Sequence, residues 1–149
     1  MSTLADPAAA ESCCQRIALL DPHTAPKWGR MTAHQMVCHL NDSFRVGMGE
    51  KQASRAPSPL PRGLIKWIAL GTPLPWVHNL PTMPEVKQGL GGTPPKDWEL
   101  DRETLCQLIR SFPASSKFAP HPIFGEMSRK DWQIWGYRHV DHHLRQFFV

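Results

Sequence analysis

Prolines and glycines interrupt residues 51–96 so often that neither a long helix nor a long strand fits there. The sequence on both sides of this stretch instead repeats apolar residues every three to four positions, as Met36, Leu40 and Phe44 do. That spacing is typical of amphipathic helices, and no stretch alternates apolar and polar residues as a strand would. The chain is therefore expected to form helices on either side of a long, irregular connection.

Four long helices are expected, each beginning at a residue whose side chain can cap a helix: Asp6, Thr32, Asp101 and Ser128. The first covers residues 8–20, and the last continues to the end of the chain. Short helices at 62–70 and 76–80 are expected within the connection. The pattern predicts an all-α, four-helix bundle with a long crossover between helices two and three.

The crossover contains three bulky apolar residues, Trp67, Trp76 and Leu80, which are expected to pack it as a cap over one end of the protein. A length of 149 residues fits a single domain over 1–149 with a buried core. A bundle of this kind can also pair through a helix face, so a homodimer is a possible state of the chain.

Composition and charge argue against two classes of function. The net charge is +4, but Lys and Arg are scattered among acidic residues and no basic run marks a nucleic-acid surface. The most apolar run, residues 64–70, contains Lys66 and is far shorter than the roughly 20 residues of a membrane span. The four cysteines show no CxxC spacing and the N-terminus resembles no secretory signal, so a cytoplasmic location is expected.

Histidines supply the strongest functional signal. His139 and His143 lie one turn apart on the predicted fourth helix, and His39 lies on the second beside its apolar face. If the two helices face each other, three neutral imidazoles can bind one divalent ion such as zinc, nickel or iron. Three protein ligands leave a position open for water or substrate. The alternative is a set of hydrogen-bonded core histidines, because an HxxxH pair alone is a weak motif.

Other polar residues near these positions receive more ordinary interpretations. His142 is turned about 100° from His143 and is expected at the surface or in support of the site, and Cys38 is likewise expected to be a small core residue. His34 is expected to face elsewhere, and His121 to pack its loop. Gln35 and Gln146 are candidates for orienting ligands, although exposed amides are commoner.

No general base can be assigned. Asp42, Glu50 and Glu85 are the carboxylates considered, and the sequence places none of them within reach of the histidines. The catalytic residues therefore stay unknown at this stage.

Three segments resemble the DinB-like superfamily: residues 28–40, which open with a Trp-Gly-x-Met motif, the His-Pro-x-Phe-Gly loop at 121–125, and residues 135–146. The resemblance covers essentially the whole chain. More narrowly, the segments look like those of an uncharacterised branch of the superfamily. It implies a four-helix bundle holding a divalent metal on His39, His139 and His143. Characterised members include transferases and isomerases that use a low-molecular-weight thiol, mycothiol or bacillithiol.

Two functions follow as hypotheses. The first is a metal-dependent transferase or hydrolase in which the ion activates a thiol or water toward a small-molecule substrate. The second is a non-catalytic helical bundle that binds a metal or small molecule, or that serves as a dimerisation module. An open coordination position beside a cavity would favour the enzyme, whereas a metal closed by four protein ligands would favour the binding protein.

Overall fold

The computed structural model describes residues 1–149 and contains five α-helices and no β-strand. The helices are α1 Pro7–Ala18, α2 Ala33–Gly47, α3 Arg62–Gly71, α4 Trp98–Ser111 and α5 Arg129–Gln146, with 3-10 turns at Pro84–Val86 and Phe112–Ala114. The prediction of an all-α fold is confirmed. None of these helices is long and apolar enough to cross a membrane.

Three of the predicted helix starts are confirmed in detail. The Asp6 carboxylate accepts a hydrogen bond from the Ala8 amide at 3.0 Å, which caps α1. Thr32 and Ser128 each form a reciprocal capping box with the residue three positions later, at the starts of α2 and α5. These starts were predictable because a cap depends on residues only a few positions apart.

The prediction that Asp101 caps the helix before Pro113 is wrong. Asp97 is the cap, and its Oδ1 accepts from the Leu100 amide at 3.0 Å, so α4 begins one turn earlier. Both aspartates suit the first turn, where negative charge is favourable, and the sequence pattern does not separate them. The Asp101 side chain instead contacts α2.

The core lies among four of the helices. α1 and α2 each contact both α4 and α5, and aromatic rings fill the space between them. Phe44 meets Phe112 edge to face at a centroid distance of 4.8 Å, and Trp132 meets Trp135 in the same way at 5.0 Å. Residues 36–44 of α2 are all buried, so every side chain on this part of the helix faces protein. This leaves His39 facing a neighbouring helix or an internal cavity.

Two arginines contribute hydrogen bonds that hold the crossover, residues 48–97, to the rest of the chain. Arg62 donates hydrogen bonds to the carbonyls of Ala56, Pro122 and Ile123. Arg138 of α5 donates to the carbonyls of Thr72 and Leu74. The crossover therefore depends on hydrogen bonds from charged side chains, in addition to apolar packing.

Two of the three predicted apolar anchors are wrong. Trp67 is 63% exposed and Leu80 is 60% exposed, while Trp76 is partly buried and donates its indole N–H to the Ala69 carbonyl at 2.9 Å. Residues 76–80 form no helix, and Asn79 adopts a left-handed backbone with φ 59°. The short helix predicted at 62–70 is present as α3.

Candidate metal centre

Three histidine rings converge where α2 faces α5. The Nε2 atoms of His39 and His139 are 3.3 Å apart, and the ring of His143 lies with its centroid 5.0 Å from each of the other two. One ring nitrogen from each histidine lies within 4.8 Å of the corresponding atoms of the others. The predicted convergence of these side chains is therefore present in the structure.

Hydrogen bonds fix the orientation of two of these rings. The His39 Nδ1 lies 2.9 Å from the Val86 carbonyl oxygen, and a carbonyl only accepts, so Nδ1 carries the proton. His143 Nδ1 lies 2.9 Å from Gln146 Oε1, and the same amide donates through its Nε2 to the Trp28 carbonyl at 2.7 Å. Both histidines therefore keep an unprotonated Nε2, which is the atom that can bind a cation.

The geometry of the group fits a transition-metal ion. Two nitrogens bound to one zinc at about 2.0–2.1 Å with tetrahedral angles are about 3.3–3.4 Å apart, and the Nε2 atoms of His39 and His139 are separated by 3.3 Å. In addition, the Nδ1 of His139 is buried and has no hydrogen-bond partner in the protein. Unlike His39 and His143, His139 therefore has no protein group at Nδ1 that fixes the orientation of its ring.

Burial keeps the three imidazoles in the neutral form that binds metals. Desolvation lowers the pKa of His39 below its ordinary value. It lowers the pKa of His139 and of His143 still further, and the neighbouring imidazoles add to the effect. At neutral pH a cation therefore does not have to displace protons from these rings.

The histidines lie in the wall of a cavity of about 790 Å³. Most of the wall is apolar or aromatic and includes Trp28, Trp76 and Trp135, with side chains from the crossover forming one side. A pocket of this size and lining suits a small organic molecule. The arrangement combines a possible cation site with space beside it for a second ligand.

One comparison with known proteins gives a match. The model of a family described as "Protein of unknown function (DUF1569)" matches residues 6–149. The chain belongs to this family. No curated protein and no solved structure matches it. The family description carries no activity, so the function of this DUF1569 protein has to be argued from its site.

The remaining predicted residues of the DUF1569 protein divide into supporting and remote positions. Gln146 is 2% exposed and holds His143, so the commoner expectation of an exposed amide is wrong and its predicted ligand-orienting role is supported. Gln35 serves the capping box of α2. His142 is partly buried in the cavity wall against Trp28 and His78, outside the converging group.

His121 has a structural role in its loop, as expected. Its Nδ1 accepts hydrogen bonds from the amides of Ile123 at 3.1 Å and Phe124 at 3.2 Å, and its ring stacks on Phe124. Burial lowers its pKa to about 3, and the nearby Arg62 adds to this effect. The neutral ring therefore closes the turn at 121–125 while one side of it lines the cavity.

The carboxylates considered as general bases are absent from the cavity lining. Asp42 is buried and accepts from the Thr93 amide and hydroxyl at 2.6 and 2.7 Å, and Lys51 pairs with it at 2.9 Å. Glu85 is hydrogen-bonded by Ser54. Glu50 is exposed. None of these three side chains is positioned to take a proton inside the cavity.

A second group of ligand-type residues was not foreseen from the sequence. His34 Nε2 lies 2.8 Å and Cys38 Sγ 3.6 Å from the same oxygen of Asp101, which also accepts from the Lys96 amide at 3.3 Å. Burial and the adjacent Asp101 raise the pKa of Cys38 to about 12, so its thiol is protonated. The prediction that Cys38 is a buried residue is confirmed, at 1% exposure.

Proposed function

We propose that this DUF1569 protein is a divalent-metal-dependent enzyme of the DinB-like type that acts on a small molecule. His39, His139 and His143 would hold the metal, and residues 1–149 would form one domain built on a four-helix bundle with a crossover. The observation that carries the proposal is the convergence of three neutral imidazoles in the wall of a cavity of about 790 Å³.

The open side of the site favours an enzyme over a purely structural metal site. The group contains three histidines and no fourth His, Cys, Asp or Glu. Structural zinc sites are normally closed by four protein ligands, whereas catalytic sites keep one position for water or substrate. A cavity of about 790 Å³ beside that position gives a substrate room to approach.

The bound ion would act as a Lewis acid, lowering the pKa of a water molecule toward about 7 or stabilising a thiolate. The protein's own residues do the positioning. Val86 and Gln146 hold the rings of His39 and His143, and tryptophans form apolar parts of the wall beside them. Because no carboxylate lines the cavity, a proton acceptor in its wall would have to be a histidine.

We propose a thiol transferase or hydrolase as the reaction type, with a low-molecular-weight thiol as the cosubstrate in the first case. The support is the resemblance to the DinB-like superfamily together with the open site. Incubation of the zinc-loaded and nickel-loaded protein with a panel of electrophiles and thiols tests the transferase. Uniform inactivity with every thiol, alongside hydrolysis of an ester in the panel, would replace it with the hydrolase.

Metal content is the direct test of the site. Elemental analysis of the purified protein should give about one transition-metal ion per chain. His39→Ala and His143→Ala should reduce the ratio below about one tenth without loss of helical signal, because two imidazoles bind far more weakly than three. His23→Ala, which changes an exposed loop histidine, is the matched control and should keep the metal. Full metal retention in both site variants would contradict the proposal.

Self-association through α3 is the remaining proposal about partners. Leu64, Trp67 and Ile68 are 44%, 63% and 41% exposed on this helix. An ordinary interface buries about 800 Å² on each partner, and these three side chains would form the apolar centre of such a contact. A two-fold dimer would bring this face of one chain against the same face of a second copy. Sedimentation should show a dimer that Trp67→Gln dissociates, and a monomer at all concentrations would refute it.

A further inference from the structure

The charges around the cavity are one-sided. It is lined by 35 residues, and the charged ones are Arg30 and Lys87. The chain contains 13 Asp and Glu residues, yet none of them is part of the lining. Both cations are exposed and form neither a salt bridge nor a side-chain hydrogen bond. They are therefore free to contact a molecule that enters the cavity.

None of the carboxylates adjacent in sequence to cavity residues is itself part of the lining. Asp42 is paired with Lys51, Asp131 with Lys66, and Asp141 with Arg16 and Arg145. Glu85 precedes Val86, forms no salt bridge and accepts a hydrogen bond from Ser54. The lining itself therefore carries two cations and no carboxylate.

A cation on three neutral imidazoles would keep its full charge, because imidazole contributes none. In a mostly apolar wall, where the effective dielectric is low, that charge is costly unless an anion lies close to it. Metal sites that include a carboxylate ligand solve this within the protein. Here the compensation has to come from a group bound to the ion, either hydroxide or the anionic group of an organic ligand. Arg30 and Lys87 at the rim favour an organic anion that enters the cavity.

The aromatic residues of the cavity wall indicate what kind of uncharged body the ligand has. Trp28 lines the cavity, and one face of its ring is covered by His78, which lies outside the lining, with centroids 3.8 Å apart and an interplanar angle of 5°. Trp76 and Trp135 flank His139 at centroid distances of 5.8 and 4.9 Å. Flat aromatic walls favour a ligand with a planar or compact apolar body.

We propose that the cavity takes a small organic anion whose carboxylate faces the three histidines while its apolar body packs between the tryptophans. This inference rests on the proposed function, because the charge on the metal is part of the attraction. It adds the class of molecule that the site recognises.

Calorimetric titration of the zinc-loaded protein tests the inference. The probes are 2-naphthoate, 2-naphthalenethiolate and the neutral 2-naphthamide, which share one apolar body and differ in the polar group. 2-Naphthoate should bind about ten-fold or more tightly than the amide, while the thiolate tests the cosubstrate of the proposed function. Equal affinity for 2-naphthoate and the amide would overturn the inference.

Variants at the cavity rim distinguish recognition of the anion by Arg30 and Lys87 from non-specific attraction to a positively charged protein. Arg30→Gln combined with Lys87→Gln should reduce the preference for the anion by about two- to five-fold, since exposed charges contribute modestly. Lys130→Gln removes an equal charge from an exposed position outside the cavity and should leave the preference unchanged. An equal effect of Lys130→Gln would count against recognition by the cavity.

Zinc content measured in every sample keeps the two proposals apart. Stoichiometric zinc without any preference for 2-naphthoate overturns the substrate class and leaves the proposed metal site standing. Absence of zinc overturns the proposed function. In that case, an anion preference that persists and depends on Arg30 and Lys87 still supports an anion-binding cavity, whereas its loss overturns both proposals.

Discussion

Helix α2 carries two groups of potential metal ligands that differ in how well the protein satisfies them. The inner group, His39 with His139 and His143, lines the cavity and contains no carboxylate. The outer group, His34 and Cys38 with Asp101, has its own negative charge, and both α2 side chains are hydrogen-bonded to it.

The difference favours the inner group as the one that takes an external ligand. In the outer group, the Asp101 carboxylate lies within hydrogen-bond distance of His34 and Cys38, so the group joins α2 to α4 without any further component. In the inner group, the Nε2 atoms of His39 and His139 face each other across 3.3 Å, and the Nδ1 of His139 has no partner. Similar residue types thus serve as a helix contact in one place and as a candidate metal centre in the other.

Zinc affinity should separate the two groups most strongly. His139→Ala should weaken zinc binding by about 1,000-fold or more because it removes one of three ligands, and Asp101→Asn should change it by less than about three-fold. Competition with a chromogenic chelator measures both constants and also gives the stoichiometry, expected at one ion per chain. Two ions, with the second lost in Asp101→Asn, would show that the outer cluster is also a metal site.

A smaller loss is expected from Gln146, which contacts no metal itself. Gln146→Ala should weaken zinc binding by about 10–100-fold, because the ring of His143 loses the acceptor that fixes its orientation. Gln107→Ala, at an exposed position of α4, is the control and should have no effect. Restoration of affinity in Gln146→Glu, which keeps an acceptor oxygen, would distinguish orientation of the ligand from a general loss of packing.

The pH dependence of stability should also differ between the histidines of the cavity and Asp101 of the outer group. The pKa values of the cavity histidines are lowered by burial, so the unfolded chain binds more protons than the folded one below about pH 6.5. The metal-free protein should therefore lose stability as the pH falls from about 6.5 toward the folded pKa values. For His121, whose pKa is about 3, this amounts to up to about 2 kcal/mol between about pH 7 and pH 5.

Burial would raise the pKa of Asp101, but hydrogen bonds from His34, the Lys96 amide and Cys38 outweigh it and lower that pKa. Its contribution is present above the ordinary aspartate pKa of about 3.8 and is lost only as the pH falls through the lower folded value. Urea unfolding at several pH values measures both effects. A His121→Gln variant should show a weaker dependence between about pH 7 and 5, and a dependence unchanged from wild type would refute the assignment.

The smallest expected effect concerns the outer cluster as a helix contact. Asp101→Asn should lower the free energy of unfolding by about 1–2 kcal/mol, because the charged acceptor for His34 is lost. Asp97→Asn is a matched control on the same helix and should be nearly neutral, since Asn caps a helix as well as Asp does. Denaturant unfolding at neutral pH compares the two variants, and equal losses would show that Asp101 has no special role.

The parts of the structure that sequence reasoning reached are those set by nearby residues. The caps at Asp6, Thr32 and Ser128 and the placement of His139 one turn before His143 follow from spacing within a single helix. The hydrogen-bond partners of His39 and Asp101 could not be predicted in this way. Val86 lies 47 positions from His39, and His34 lies 67 positions from Asp101. Contacts at such distances depend on the packing of whole elements, which no local pattern records.

The crossover shows the other limit of sequence reasoning. Trp67 and Leu80 were expected to be buried because large apolar side chains usually are, yet both lie at the surface. The roles of Arg62 and Arg138 in holding the crossover could not be predicted, because arginines are normally expected to be surface charges. Their roles become clear only from the backbone carbonyls that they contact. Hydropathy indicates which side chains tend to be buried, but it does not show where a side chain will find its hydrogen-bond partners.

Because His39 donates a hydrogen bond to the Val86 carbonyl, changes in the turn around Val86 can alter the site without replacing any of the three histidines. The turn that presents this carbonyl is closed tightly, and a Cβ at Gly91 would come within 2.8 Å of the Glu85 Cα. A methyl group added there would push on the backbone next to Val86 and so tilt an imidazole on another helix. Sequence variation in this short turn could therefore alter the orientation of His39 while leaving all three histidines in place.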